Sequence, residues 1–138
     1  MRAIKKITVD TNILISFFVY PGGVVREIIG FAINKKITIC ISAAIIEEYS
    51  RVLRLKFGWP QDDVDANIAL LKRITVLVEP VSPIKAVSAD PTDDKVIECA
   101  VAVGADAIVS GDRHLLDLKK YKAIPIMKPS DLLKALIS

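Results

Sequence analysis

Four acids, Asp10, Glu48, Asp94 and Asp112, occupy positions where chemistry can be done. Asp10 ends the apolar run Ile7-Thr8-Val9 and is followed by Thr11 and Asn12, after which apolar residues resume at Ile13. This pattern predicts a short buried strand turning into a helix, with Thr11 or Asn12 as the helix cap. Asp112 follows Val109-Ser110-Gly111 and is expected at the end of another strand. In open α/β sheets the carboxyl rim of the strands is where ligands bind. A carboxylate set into such an apolar segment is costly unless it is hydrogen-bonded or holds a metal.

The other two acids are selected by helical spacing. Glu48 lies between Ile45 and Val52, three and four residues away, on the stripe that faces inward. Its neighbour Glu47 shares a face with Arg51 and Arg54, where exposed ion pairs are worth little. Asp94 precedes Ile97 and Val101 and points toward the packed side, whereas Asp93 is placed to serve the cap; Asp90 belongs to a loop. The first turn of that helix also faces the rim, because its far end feeds the strand before Asp112.

Acids converging with no histidine or cysteine ligand make an all-oxygen site, which selects Mg²⁺ or Mn²⁺ over zinc. A cation would neutralise their mutual repulsion, activate water and stabilise charge on a phosphodiester. Thr11, Asn12 and Ser110 are placed to orient water or the ligating acids. Each acid alone also has a plain structural role, Asp94 complementing a helix dipole and Asp112 capping a helix. Their joint placement on one rim is what points to a site.

The elements that would position them alternate between strand and helix. After the first strand, Ile13 to Phe18 reads as a helix ended by Pro21-Gly22-Gly23, and a second runs from Val24 to about Asn34. Ile37 to Ile41 reads as a strand, Ser42 as the cap of a helix from Ala43 to about Lys56, and Gln61 as the start of another. Thr75 to Val78 is a third strand, Val81 to Pro91 a loop, and Thr92 or Asp93 opens a helix through Val103 that Gly104 stops. Ala107 to Val109 is a fourth strand, with a short helix after Gly111-Asp112. Ile124 to Met127 is a fifth, and Ser130 is expected to cap a last helix, Asp131 to Ile137. Strands that are continuously apolar, alternating with helices, predict a three-layer α/β/α domain around a central five-stranded parallel sheet.

Composition agrees with a single domain of 138 residues: 52% are apolar, 25% are charged, and the net charge is +3. Cys40 and Cys99 lie far apart in apolar segments without CxxC partners, which predicts buried free thiols suited to a reducing cytosol. Arg2, Lys5 and Lys6 before an apolar stretch imitate a signal peptide, but Asp10 and Asn12 interrupt it and no small-residue cleavage site follows Tyr20. No run approaches the roughly 18 apolar residues of a membrane span. A cytoplasmic protein that contacts no membrane is expected.

Over nearly its whole length the chain resembles a PIN-domain protein. The likeness is carried by Val9-Asp10-Thr11-Asn12, by Ser42 through Glu48-Tyr49 with Val52-Leu53, by Asp90-Pro91-Thr92-Asp93-Asp94, and by Val109-Ser110-Gly111-Asp112. It is most similar to the small stand-alone bacterial and archaeal PIN proteins of toxin–antitoxin modules, the VapC-like ribonucleases. The resemblance implies a five-stranded parallel sheet, Mg²⁺- or Mn²⁺-dependent hydrolysis of RNA, homodimers, and a cognate antitoxin whose segment covers the acidic rim or inserts an arginine there. The family's acids fall on Asp10, Glu48, Asp94 and Asp112. Two positions depart from its pattern: His114 stands where related chains often have a further acid, with Asp117 only later, and Ser110 stands where threonine is commoner. Arg113, beside Asp112, is the basic residue best placed to meet an RNA phosphate. A different class of function is a catalytically weak nucleic-acid-binding or assembly subunit that keeps the fold.

Overall fold

The computed structural model describes residues 3–19, 22–80 and 91–138, with backbone alone for 91–93. The loop expected over Val81 to Pro91, including Asp90, therefore lies almost wholly outside the described residues. The strands are β1 (Lys6–Val9), β2 (Thr38–Ser42), β3 (Thr75–Val78), β4 (Ala107–Val109), β5 (Lys120–Tyr121) and β6 (Ile124–Met127). The helices are α1 (Thr11–Phe18), α2 (Gly23–Ile33), α3 (Ala43–Leu55), α4 (Gln61–Ile74), α5 (Pro91–Val103), α6 (Arg113–Leu118) and α7 (Pro129–Ile137).

The sheet has the order β3-β2-β1-β4-β6-β5, parallel except where β5 meets β6. β1 lies between β2 and β4, with Thr8 opposite both Cys40 and Ile108. Every residue of Ile7–Val9 and of β4 is buried. Successive strand residues point to opposite faces, so both faces of the central strands are covered, as a three-layer arrangement requires. At the amino end of β1, Asp106 Oδ2 accepts the backbone N–H groups of Lys5 and Lys6, both at 2.9 Å, and sets the register of the central pair.

Six strands stand where five are expected. The added β5 has two residues, too few for any periodic signature, and Lys120 lies opposite Pro125. The reversal into β6 requires Lys122 in the left-handed region, at φ 54°. Two caps also differ from expectation. Asp10 itself, in extended backbone, caps α1, so Thr11 and Asn12 are the first helical residues. Lys128 occupies the cap position of α7 instead of Ser130, because Pro129 fits the first helical position, where its missing N–H has no partner to lose. Ser42 caps α3 as expected, its Oγ accepting from Ile45 N at 3.2 Å, and Gly104 at φ +62° supplies the left-handed stop after α5.

The core is formed by Ile7, Val9, Ile39, Ile41 and Ile108 of the sheet with Leu14, Phe17, Leu53, Leu71 and Ile97 of the helices. Among the described residues no single helix is long and apolar enough to cross a membrane. The apolar character of α1 is used internally, since Ile13, Leu14, Ile15 and Phe17 are all buried. Tyr49 of α3 is fully buried and donates its hydroxyl to Asn67 Oδ1 of α4. Burial raises the phenol's pKa above its ordinary value, so it remains a donor. Tyr49→Phe leaves that acceptor without its partner and is expected to cost about 1–2 kcal/mol, read as a lower urea midpoint with an unchanged slope.

Candidate active site

The rim of β1 and β4 is built by the two strands ending side by side. Asp10 N donates to Val109 O at 3.3 Å, carrying the β1–β4 ladder to the first acid. Ser110 N donates to Met127 O at 3.0 Å, fixing the turn that leads to Asp112. Both acids then start helices. Asp10 Oδ1 accepts from Ile13 N at 2.9 Å, and Asp112 Oδ2 from Leu115 N at 3.3 Å. Aspartate is a preferred cap because its short carboxylate reaches an otherwise orphaned N–H of the first turn.

Ser110 joins the two. Its buried hydroxyl donates to Asp10 Oδ2 and accepts the backbone N–H of Asp112 at 2.9 Å. A single side chain thus orients one carboxylate and the turn that carries the other. Thr11 does the corresponding work for the helix-borne acid: its buried hydroxyl donates to Glu48 Oε2, linking the start of α1 to the middle of α3. Glu48 is half-buried on that inner face, whereas Glu47 is exposed.

The electrostatics show which acids share the space. Asp10 is only 6% exposed. Its pKa is raised, first by burial and further by the charges of Asp112 and Glu48, against the lowering effect of the Ser110 and Ile13 hydrogen bonds. Two of the other sequence-predicted acids, Asp112 and Glu48, therefore act on Asp10 across the rim. Asp94 is buried in the first turn of α5, a helix that packs on β1 and β2. No group of three or more acids, histidines or cysteines among the described residues is clustered tightly enough to hold an ion as the side chains stand. The charges of Asp112 and Glu48 oppose the ionisation of Asp10. Oxygen-only donors fit a hard cation.

Residues 6–114 match the PIN domain family. The chain belongs to the PIN-domain family. PIN domains are generally nucleases. Among solved structures, the fold resembles a chain of VapBC2 from Rickettsia felis, solved bound to a DNA fragment from their promoter, with a TM-score of 0.67 and 12% identity. That match covers 89% of this chain and 98% of the other. PAE2754 from Pyrobaculum aerophilum gives a TM-score of 0.63 at 16% identity, over 96% of this chain and 90% of that one. No curated protein matches the sequence.

The remaining candidates of this PIN domain are more peripheral. Asn12 is exposed, and its backbone carbonyl accepts from Ser16 Oγ at 3.1 Å. Arg113 and His114 are exposed in the first turn of α6, directly after Asp112. Asp93 is described only in its backbone. Sequence reasoning missed that Asp10 caps its own helix, although an aspartate three residues before Ile13 carries that signal. It also missed that Ser110 binds the Asp10 carboxylate and the Asp112 backbone N–H at once, for which spacing gives no signal.

A charged Asp10 is strained by burial, and Asn keeps the cap while removing the charge. Asp10→Asn is expected to melt at a higher temperature than the parent in metal-free buffer at pH 7. A group with a raised folded-state pKa stabilises below its unfolded pKa, and that contribution is lost as pH rises through the folded value. The melting gap between variant and parent should accordingly narrow as pH falls through the carboxylate range.

Proposed function

We propose that the chain is a divalent-metal-dependent endoribonuclease that hydrolyses RNA phosphodiesters as the toxin of a toxin–antitoxin pair. The observation that carries this reading is the buried Asp10 carboxylate, opposed by Asp112 and Glu48 at the rim of a PIN domain. Asp10, Glu48, Asp94 and Asp112 would hold Mg²⁺ or Mn²⁺, which supplies an activated water and stabilises charge on the phosphodiester. Ser110 and Thr11 hold Asp10 and Glu48 in orientation, Asn12 borders the site, and Arg113 meets the RNA backbone. The likeness to a chain of VapBC2 supports an antitoxin partner. The protein works in the cytoplasm as a homodimer.

The test is cleavage of a mixed-sequence RNA by the purified chain, with Mg²⁺ or Mn²⁺ and with chelator. Cleavage should require the metal. Asp10→Asn and Asp112→Asn should abolish it, and Ser110→Ala should lower it by about 10–100-fold. Cleavage by Asp10→Asn at the parent rate would refute the assignment. A second reading is a catalytically weak nucleic-acid-binding or assembly subunit; among the described residues no group of three or more acids, histidines or cysteines is clustered tightly enough to hold an ion. RNA retention indifferent to Mg²⁺ and Mn²⁺, without turnover, would select it.

A further inference from the structure

The two edges of the sheet are treated in opposite ways. The β5 edge is two residues long and flanked by Lys119, Lys120 and Lys122, with Lys119 and Lys122 in left-handed backbone. Short length and lysines are the devices by which natural sheets refuse another strand. The β3 edge is four residues long and carries no charge within the strand. Its sequence is Thr75-Val76-Leu77-Val78, with Val76 49% and Leu77 50% exposed, and among the described residues no strand pairs with its outer side.

The surroundings of β3 have a direction. At its amino end stand the exposed Lys72 and Arg73 of the last turn of α4, and at its carboxyl end the exposed Glu79. Beside the amino end lies a pocket of about 390 Å³ lined by Ile33, Lys35, Ile37, Arg73, Thr75 and Val76. Its lining is mixed: Ile33, 58% exposed, and Ile37 are apolar, and Lys35 and Arg73 supply positive charge.

We propose that β3 is the homodimer interface, pairing antiparallel with β3 of a second copy of this chain. Antiparallel pairing about a two-fold axis sets the amino end of each strand against the carboxyl end of the other. Glu79 of each copy then meets Arg73 and Lys35 of its partner copy. With the axis through Val76, Leu77 lies across from Thr75, which lines that pocket. The strand is self-complementary in charge, which a parallel arrangement would not be. The rim acids lie on other strands and helices and stay outside this contact. This inference gives an interface to the self-association proposed above and rests on it.

The test is sedimentation equilibrium of the full chain without RNA. The parent should run as a dimer of the 15.1 kDa chain. Arg73→Glu alone and Glu79→Arg alone place like charges opposite each other and should weaken association by about tenfold. The Arg73→Glu/Glu79→Arg double variant restores opposite signs across the axis and should recover the parent affinity, which a folding defect would not do. Leu77→Lys should give monomer. A monomeric parent overturns both the self-association and this interface. A dimer that none of these variants disturbs, or a double variant without rescue, overturns the interface and leaves self-association standing. RNA cleavage is read separately and bears on neither outcome.

Discussion

A negative charge has to be buried where β1 turns into α1, and much of the local architecture follows from that. Asp10 is accommodated because the first turn of α1 offers the Ile13 N–H and the neighbouring strand end offers the Ser110 hydroxyl. Those bonds fix where the helix begins and how the turn after β4 runs. They compensate only in part, since burial and two nearby carboxylates still push the pKa upward. The fold holds one acid in a state that water alone would not favour, at the place where a ligand would arrive.

The same economy extends outward from the rim. Thr11 is consumed by α1 as a helical residue, yet its hydroxyl reaches across to Glu48. Two hydroxyl side chains therefore connect four separate pieces of chain: the ends of β1 and β4, the start of α1 and the body of α3. Replacing Thr11 by an apolar residue would release the orientation of Glu48, and replacing Ser110 would release both Asp10 and the turn that carries Asp112.

Most of the framework was legible in the sequence because the central strands are continuously apolar and the helices carry regular spacing. Ile7–Val9, Thr75 to Val78, Ala107 to Val109 and Ile124 to Met127 were readable for that reason. Glu48 was separable from Glu47 because helical geometry puts Ile45 and Val52 on its side. What was not legible depended on contacts between distant segments or on elements too short to have a period. The strand Lys120–Tyr121 exists because β6 pairs with it, and its turn uses a lysine in a conformation that no propensity scale favours. The Ser110 bridge depends on two strand ends being adjacent, which is a property of the fold and not of any window of residues.

The two buried thiols, Cys40 in β2 and Cys99 in α5, have a practical consequence. Cys40 and Cys99 are both buried and free, and Cys99 Sγ points to the Cys40 carbonyl oxygen at 3.6 Å. Burial raises both thiols, Cys99 to about 11, so neither is a nucleophile at neutral pH. An alkylating reagent can reach them only when α5 lifts away from β2. Their modification would therefore clock the opening of the domain's centre, with no introduced dye.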